Sequence, residues 1–200
     1  AAAPFVTMQP VATLAGALSY LLVRQQDAAG LAVMVGGAFK DVPPRASAGH
    51  LNVLLDALEH TEAKGPTDLG SAADHLAEVL PRRSTVIVLS DLLDERQEAL
   101  KRILALRQRK NDVAVFHLVD PAELTFPFDD PTLFLDMEGE GRIEVNPREI
   151  KQSYLEEFGA FLADVKAKCA EADVDYELVR TDERLDEVLL RFLGRRGRRR

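Results

Sequence analysis

Two hundred residues with 46% apolar side chains suffice for a domain with a sizeable core and exclude a wholly disordered chain. Net charge is −8 although five arginines crowd the last six positions, so the body is acidic, which argues against broad contact with nucleic-acid phosphates. A single cysteine, Cys169, excludes an intrachain disulfide and a thiolate zinc site and suits a reducing cytoplasm.

Val11, Leu14, Ala15, Leu18, Leu21 and Leu22 recur at helical spacing and predict a helix over 10–26. Its apolar part is interrupted by Thr13, Gly16, Ser19 and Tyr20, too short for a membrane span, and lacks the basic flank of a signal peptide. Residues 30–35 and 38–42 read as a hairpin turning at Gly36-Gly37, stopped by Pro43-Pro44. A helix over 48–60 follows with Ser47 as N-cap, then a loop over 63–68 and an amphipathic helix over 69–80. The run Thr85-Val86-Ile87-Val88-Leu89-Ser90-Asp91 reads as a strand buried on both faces.

Asp94 and Gln97 resemble a capping box that opens a helix to about 110. A second apolar strand spans 112–119 and ends in Asp120-Pro121. Beyond it periodicity fails, and 124–136 with 142–145 read as loop plus hairpin around Gly139-Glu140-Gly141. Asn146-Pro147-Arg148-Glu149 starts a long helix to about 172, with Asn as cap and Pro in the first turn. A last strand at 174–179 and a last helix at 182–193 complete the pattern. The expected fold is therefore α/β, a doubly wound, mostly parallel sheet with helices on both faces, over residues 1–193. Residues 194–200 read as a basic disordered tail. A doubly wound domain begins with a central strand, yet Ala1-Ala2-Ala3-Pro4 leads almost directly into a helix. The expectation is that the first central strand precedes residue 1; Pro4 and Pro10 argue against 1–9 replacing it.

A carboxylate at the carboxyl end of a parallel strand sits where such sheets bind ligands, which singles out Asp91. The competing reading makes it an acceptor for the loop that follows. Thr67 and Asp68 precede a helix; capping explains one and leaves the other available. Asp120 ends the neighbouring strand and is equally a turn residue. His117, inside an apolar run, reads as packed core rather than ligand. His50, His60 and His75 lack metal spacing. No nucleophile elbow, P-loop or dinucleotide fingerprint is present, and nothing supplies a nucleophile with an adjacent base.

The segments Tyr20 through Leu31, Gly65-Pro66-Thr67-Asp68-Leu69, Val86 through Asp94 and Val115 through Leu124 resemble the bacterial "domain of unknown function 58" family. Val174-Asp175-Tyr176 and the closing stretch from Leu185 to Leu193 do so too. That family is similar to von Willebrand factor type A domains, whose metal-ion-dependent adhesion site takes an Asp-x-Ser-x-Ser run, a Thr and an Asp from three loops. The resemblance matches Thr67 to the second-loop Thr and Asp91 to the third-loop Asp. The Asp-x-Ser-x-Ser run is absent here and belongs to the expected upstream strand. Since Mg²⁺ takes about six oxygens, Thr67 and Asp91 alone make a weak site. The resemblance implies a non-catalytic, cytoplasmic adaptor or chaperone-like module that works with a MoxR-type AAA+ ATPase or a client protein. The alternatives are a Mg²⁺-dependent enzyme or receiver-like phospho-acceptor at Asp91, and a metal-free structural interaction domain.

Overall fold

The computed structural model describes residues 8–35, 37–61, 68–81, 83–93, 98–135 and 142–199. These fall into two compact units, one built from described residues within 81–93 and 103–199, the other from those within 8–80 and 98–102. The architecture is mixed α/β, with a three-stranded parallel sheet flanked by helices.

In the second unit, α1 (Met8–Arg24) buries Leu14, Ala15, Leu18 and Ser19 and packs on α2 (His50–Glu59), which buries His50, Leu54, Ala57 and Leu58. Strands β1 (Ala29–Val35) and β2 (Ala38–Arg45) pair antiparallel. Pro43-Pro44 does not stop this hairpin. Leu31 faces Val42 but Ala29 faces Arg45, so the two prolines lie in a bulge opposite Gly30. A proline lacks the ladder N–H, and a bulge on an edge strand is where that loss is tolerated. Gly30 is required there: a Cβ on it would come within 2.9 Å of Pro44 N. Ser47 does not cap α2 with its side chain; Gly49 holds the N-cap position, and His50 N–H donates to Ser47 O. Helix α3 (Leu69–Val79) follows.

In the first unit, β3 (Thr85–Ser90), β4 (Asp112–Val119) and β7 (Asp175–Arg180) form the parallel sheet in the order β3-β4-β7. Between them come α4 (Ala99–Gln108), which belongs to this unit from Ile103 on, α5 (Pro121–Thr125), the antiparallel pair β5 (Thr132–Leu135) and β6 (Arg142–Val145), and α6 (Pro147–Glu171). Helix α7 (Leu185–Arg199) closes the chain. The predicted Asp94–Gln97 capping box and the turn at 139–141 lie outside the described residues.

Strand β4 is central, and from Val113 to Val119 every residue is buried. Consecutive strand residues point to opposite faces. Phe116 meets Phe192 of α7 edge-on at 4.7 Å, and the next residue, His117, meets Phe161 of α6 at 5.6 Å. Helices α6 and α7 therefore cover opposite faces of the sheet. Arg107 at the end of α4 reaches Asp173, just past α6, with Nη2 2.6 Å from Oδ2.

The segment predicted as a disordered tail from 194 is helical to Arg199. Arg191 and Arg195 lie on Glu177 of β7, with Nε 2.7 Å from Oε1 and Nη1 2.9 Å from Oε2 respectively. Arg196 pairs with Asp112 and lies 4.0 Å from Asp175. These acids open the neighbouring strands β4 and β7, and they hold a stretch whose own charges repel one another. Among the described residues, no helix is long and apolar enough to cross a membrane.

Candidate functional site

Parallel pairing brings the carboxyl ends of β3, β4 and β7 to one edge. Ser90 is in register with His117 and Val119 with Arg180, so Asp91, Asp120 and Thr181 follow their strands at that edge.

Asp91 begins a tight turn. Its Oδ1 accepts from Leu93 N–H at 3.2 Å, while Ser90 Oγ accepts from Leu92 N–H at 3.0 Å. Leu92 sits in the left-handed region at φ 57° with its side chain buried, and Leu93 is 58% exposed. A left-handed leucine is strained backbone, held here by core burial of its side chain. Burial raises the Asp91 pKa, and hydrogen bonds from Leu93, from its own backbone and from Ser90 only partly offset that.

Asp120 is the N-cap of α5. Its Oδ1 accepts from Ala122 N–H at 2.8 Å, and Glu123 Oε2 accepts from Asp120 N–H at 2.8 Å, a reciprocal capping box. Thr181 Oγ1 donates to Asp120 Oδ2 at 3.2 Å, tying β4's end to β7's. Glu123 is buried, and its pKa is raised first by that burial and then by the charges of Asp91 and Asp120. Nearby Tyr154 is pushed up to about 12 by burial and by Glu123.

His117 is packed core. Burial pushes its pKa down to about 4, Nδ1 lies 2.9 Å from the Tyr176 hydroxyl, and the ring also hydrogen-bonds the Asp91 backbone. It thus braces the turn that carries Asp91. Tyr154, Phe158 and Phe161 on α6 continue an aromatic row from Phe126 to His117.

Thr67 lies outside the described residues. Asp68 is the residue that caps α3, with Oδ1 accepting from Ser71 N–H at 2.9 Å and Oδ2 from Ser71 Oγ at 2.8 Å. His50 bonds Ala29 O, His60 bonds Asp56 O, and His75 stacks on Phe39 with Nε2 2.6 Å from Asp41 Oδ2. Cys169 is buried and its thiol is pushed up to about 11, far from a reactive thiolate. Among the described residues no group of three His, Cys, Asp or Glu side chains is placed to hold a metal ion. Asp91 fits a hard cation as one oxygen donor, and does not complete a six-oxygen shell with these neighbours.

Sequence reading missed Glu123, Tyr154, Tyr176 and Thr181. Glu123 had a local signal, the Asp-Pro-Ala-Glu spacing of a capping box. The other three join the edge only through strand order and helix packing.

Residues 6–161 match the family model described as "Protein of unknown function DUF58". No curated protein matches the chain. Among solved structures, the chain is similar to one described as a conserved hypothetical protein, BatB, from Bacteroides thetaiotaomicron. Identity is 14%, the match covers 96% of this chain and 88% of that one, and the TM-score is 0.58, a likeness of fold.

Proposed function

The chain belongs to the DUF58 family of proteins of unknown function, and from that premise we propose that it is a non-catalytic protein-binding module of von Willebrand factor A type. In this reading it serves, in the cytoplasm, as an adaptor between a MoxR-type AAA+ ATPase and a client protein. The carrying observation is the Asp91 turn, where a half-buried carboxylate at the carboxyl edge of a parallel sheet stands beside the outward-facing Leu93. That pairing of one acid with one exposed apolar side chain suits recognition. In this reading Asp120 and Glu123 are spent on each other in a cap and His117 is held neutral in the core, so they serve the shape of the edge.

Thr67 and Asp91 are the proposed contributors to a Mg²⁺-dependent adhesion site. A bound Mg²⁺ would supply an open coordination position for a partner's carboxylate. Asp91 would offer its carboxylate, and the Leu93 N–H would hold that group in place. A metal-free interaction module is the second reading, in which the exposed Leu93 beside Asp91 carries the contact.

Calorimetric titration of Mg²⁺ and Mn²⁺ into the chain and into Asp91→Ala tests the metal. Heat of binding in the chain that vanishes in the variant supports the adhesion site. No binding at millimolar metal overturns it and leaves the metal-free module. Capture of a purified MoxR-type ATPase, with metal and with chelator, tests the partnership separately.

A further inference from the structure

Helix α7 has a second face that its own sheet does not use. Val188 and Phe192 are buried against the sheet at 0% and 5% exposure, whereas Leu190 is 70% and Leu193 41% exposed. Positions 190, 193, 194 and 197 are spaced i, i+3, i+4 and i+7, so they line one stripe. Its other two members are Gly194 and Gly197, and a Cβ on either would meet nothing within 4 Å. The stripe is two bulky side chains followed by two gaps. Charge is divided along the same axis: Asp186 and Glu187 occupy the first turn, where Arg184 pairs with Asp186 and lies 3.7 Å from Glu187, and the end carries Arg195 and Arg196, held by Glu177 and Asp112, followed by Arg198 and Arg199.

We propose that this Leu/Gly face of α7 pairs with α7 of a second copy of the chain, antiparallel across a twofold axis. In such a pair the numbers of facing residues have a constant sum. An axis between Leu193 and Gly194 sets Leu193 against Gly194 of the second copy and Leu190 against Gly197, so bulk meets gap at every contact. The same arrangement brings the Glu187 end of each helix to the Arg198 end of the other. A parallel pair would set leucine on leucine, glycine on glycine, acid on acid and arginine on arginine. Shape and charge therefore select the antiparallel copy from opposite kinds of evidence. One helix per subunit makes a small interface, so the dimer is weak, with a dissociation constant on the order of micromolar or above.

Sedimentation velocity of the full chain, from roughly 1 to 500 μM, reads the association directly. A concentration-dependent dimer that weakens at least about tenfold in Leu190→Asp/Leu193→Asp supports the pairing. Both leucines face solvent, so the variant keeps its fold, checked by an unchanged circular dichroism melt. Orientation has its own readout. Glu187→Arg and Arg198→Glu should each weaken self-association, which only the antiparallel pair predicts, because a parallel pair sets like charges together before and after either change; an equimolar mixture should then restore it. A monomer throughout the range overturns the proposal, as does a dimer indifferent to the Leu190/Leu193 change. Single changes that leave the association unaltered, or a mixture that fails to recover, overturn the antiparallel arrangement. Binding of monomeric chain to anionic phosphatidylserine vesicles, lost in the Leu190/Leu193 variant, would replace the second copy by a membrane surface.

Discussion

At the amino edge of the β3-β4-β7 sheet, Asp112, Asp175 and Glu177 lie against arginines of α7; at the carboxyl edge, Asp91, Asp120 and Glu123 are held by backbone N–H groups and a threonine hydroxyl. The consequence appears in proton affinity. At the carboxyl edge, burial raises the pKa of Asp91 and of Glu123. One edge uses its acids to fasten a helix. The other keeps acids with unspent charge, the condition for receiving a cation or a donor from outside.

His117 gives the largest test, because it anchors the carboxyl edge from inside. Its pKa falls from 6.5 to about 4 on folding, so the folded state binds fewer protons in that interval. Stability is then complete above pH 6.5 and is lost as pH falls through 4, by about 3 kcal/mol. Urea unfolding across pH 4–7 should show that component in the wild type and lose it in His117→Phe.

Glu177→Gln tests the amino edge. Glu177 is 4% exposed while Arg191 and Arg195 are 37% and 55% exposed, so the loss is smaller than for a fully buried pair, about 2 kcal/mol. Chemical denaturation measures it, and a neutral result would mean that apolar contacts alone hold α7.

Asp91→Asn should act with the opposite sign. A carboxyl whose pKa is raised on folding favours the fold below its ordinary value of 3.8, and that advantage disappears as pH rises through the folded value. Removing the charge at pH 7 should stabilise the metal-free chain by ~0.5–1 kcal/mol, since an amide oxygen still accepts from Leu93 N–H. A melting temperature that drops instead would show that the carboxylate is already compensated. The smallest effect belongs to Arg184→Ala. Its pairing with Asp186 is fully exposed, so no measurable change in the unfolding midpoint is expected.

The chain order of elements was legible in the sequence because burial on both faces writes itself as an uninterrupted apolar run. Residues 113–119 are such a run, and they form the central strand. Asp91 was legible for the same reason, as the first charge after a strand. The helix start at Asn146-Pro147 was legible too, although Asn146 donates to Glu149 Oε1 at 2.7 Å rather than capping the backbone. Helix α5 was missed because five residues are too few to show a period, and its only mark is the Asp120/Glu123 spacing.

The sequence by itself determined what depends on neighbours along the chain: strand and helix periods, and the placement of acids at strand ends. Only the tertiary structure decided what depends on partners distant in sequence. Pro43-Pro44 stays in a strand because Gly30, more than ten residues earlier, leaves room for a bulge. Arg195 and Arg196 are helical rather than loose because Glu177 and Asp112 come from other strands. His117 is neutral because Phe161 and Tyr176 exclude water around it. Periodicity is a local property, whereas compensation of charge and desolvation are set by whatever the fold brings alongside.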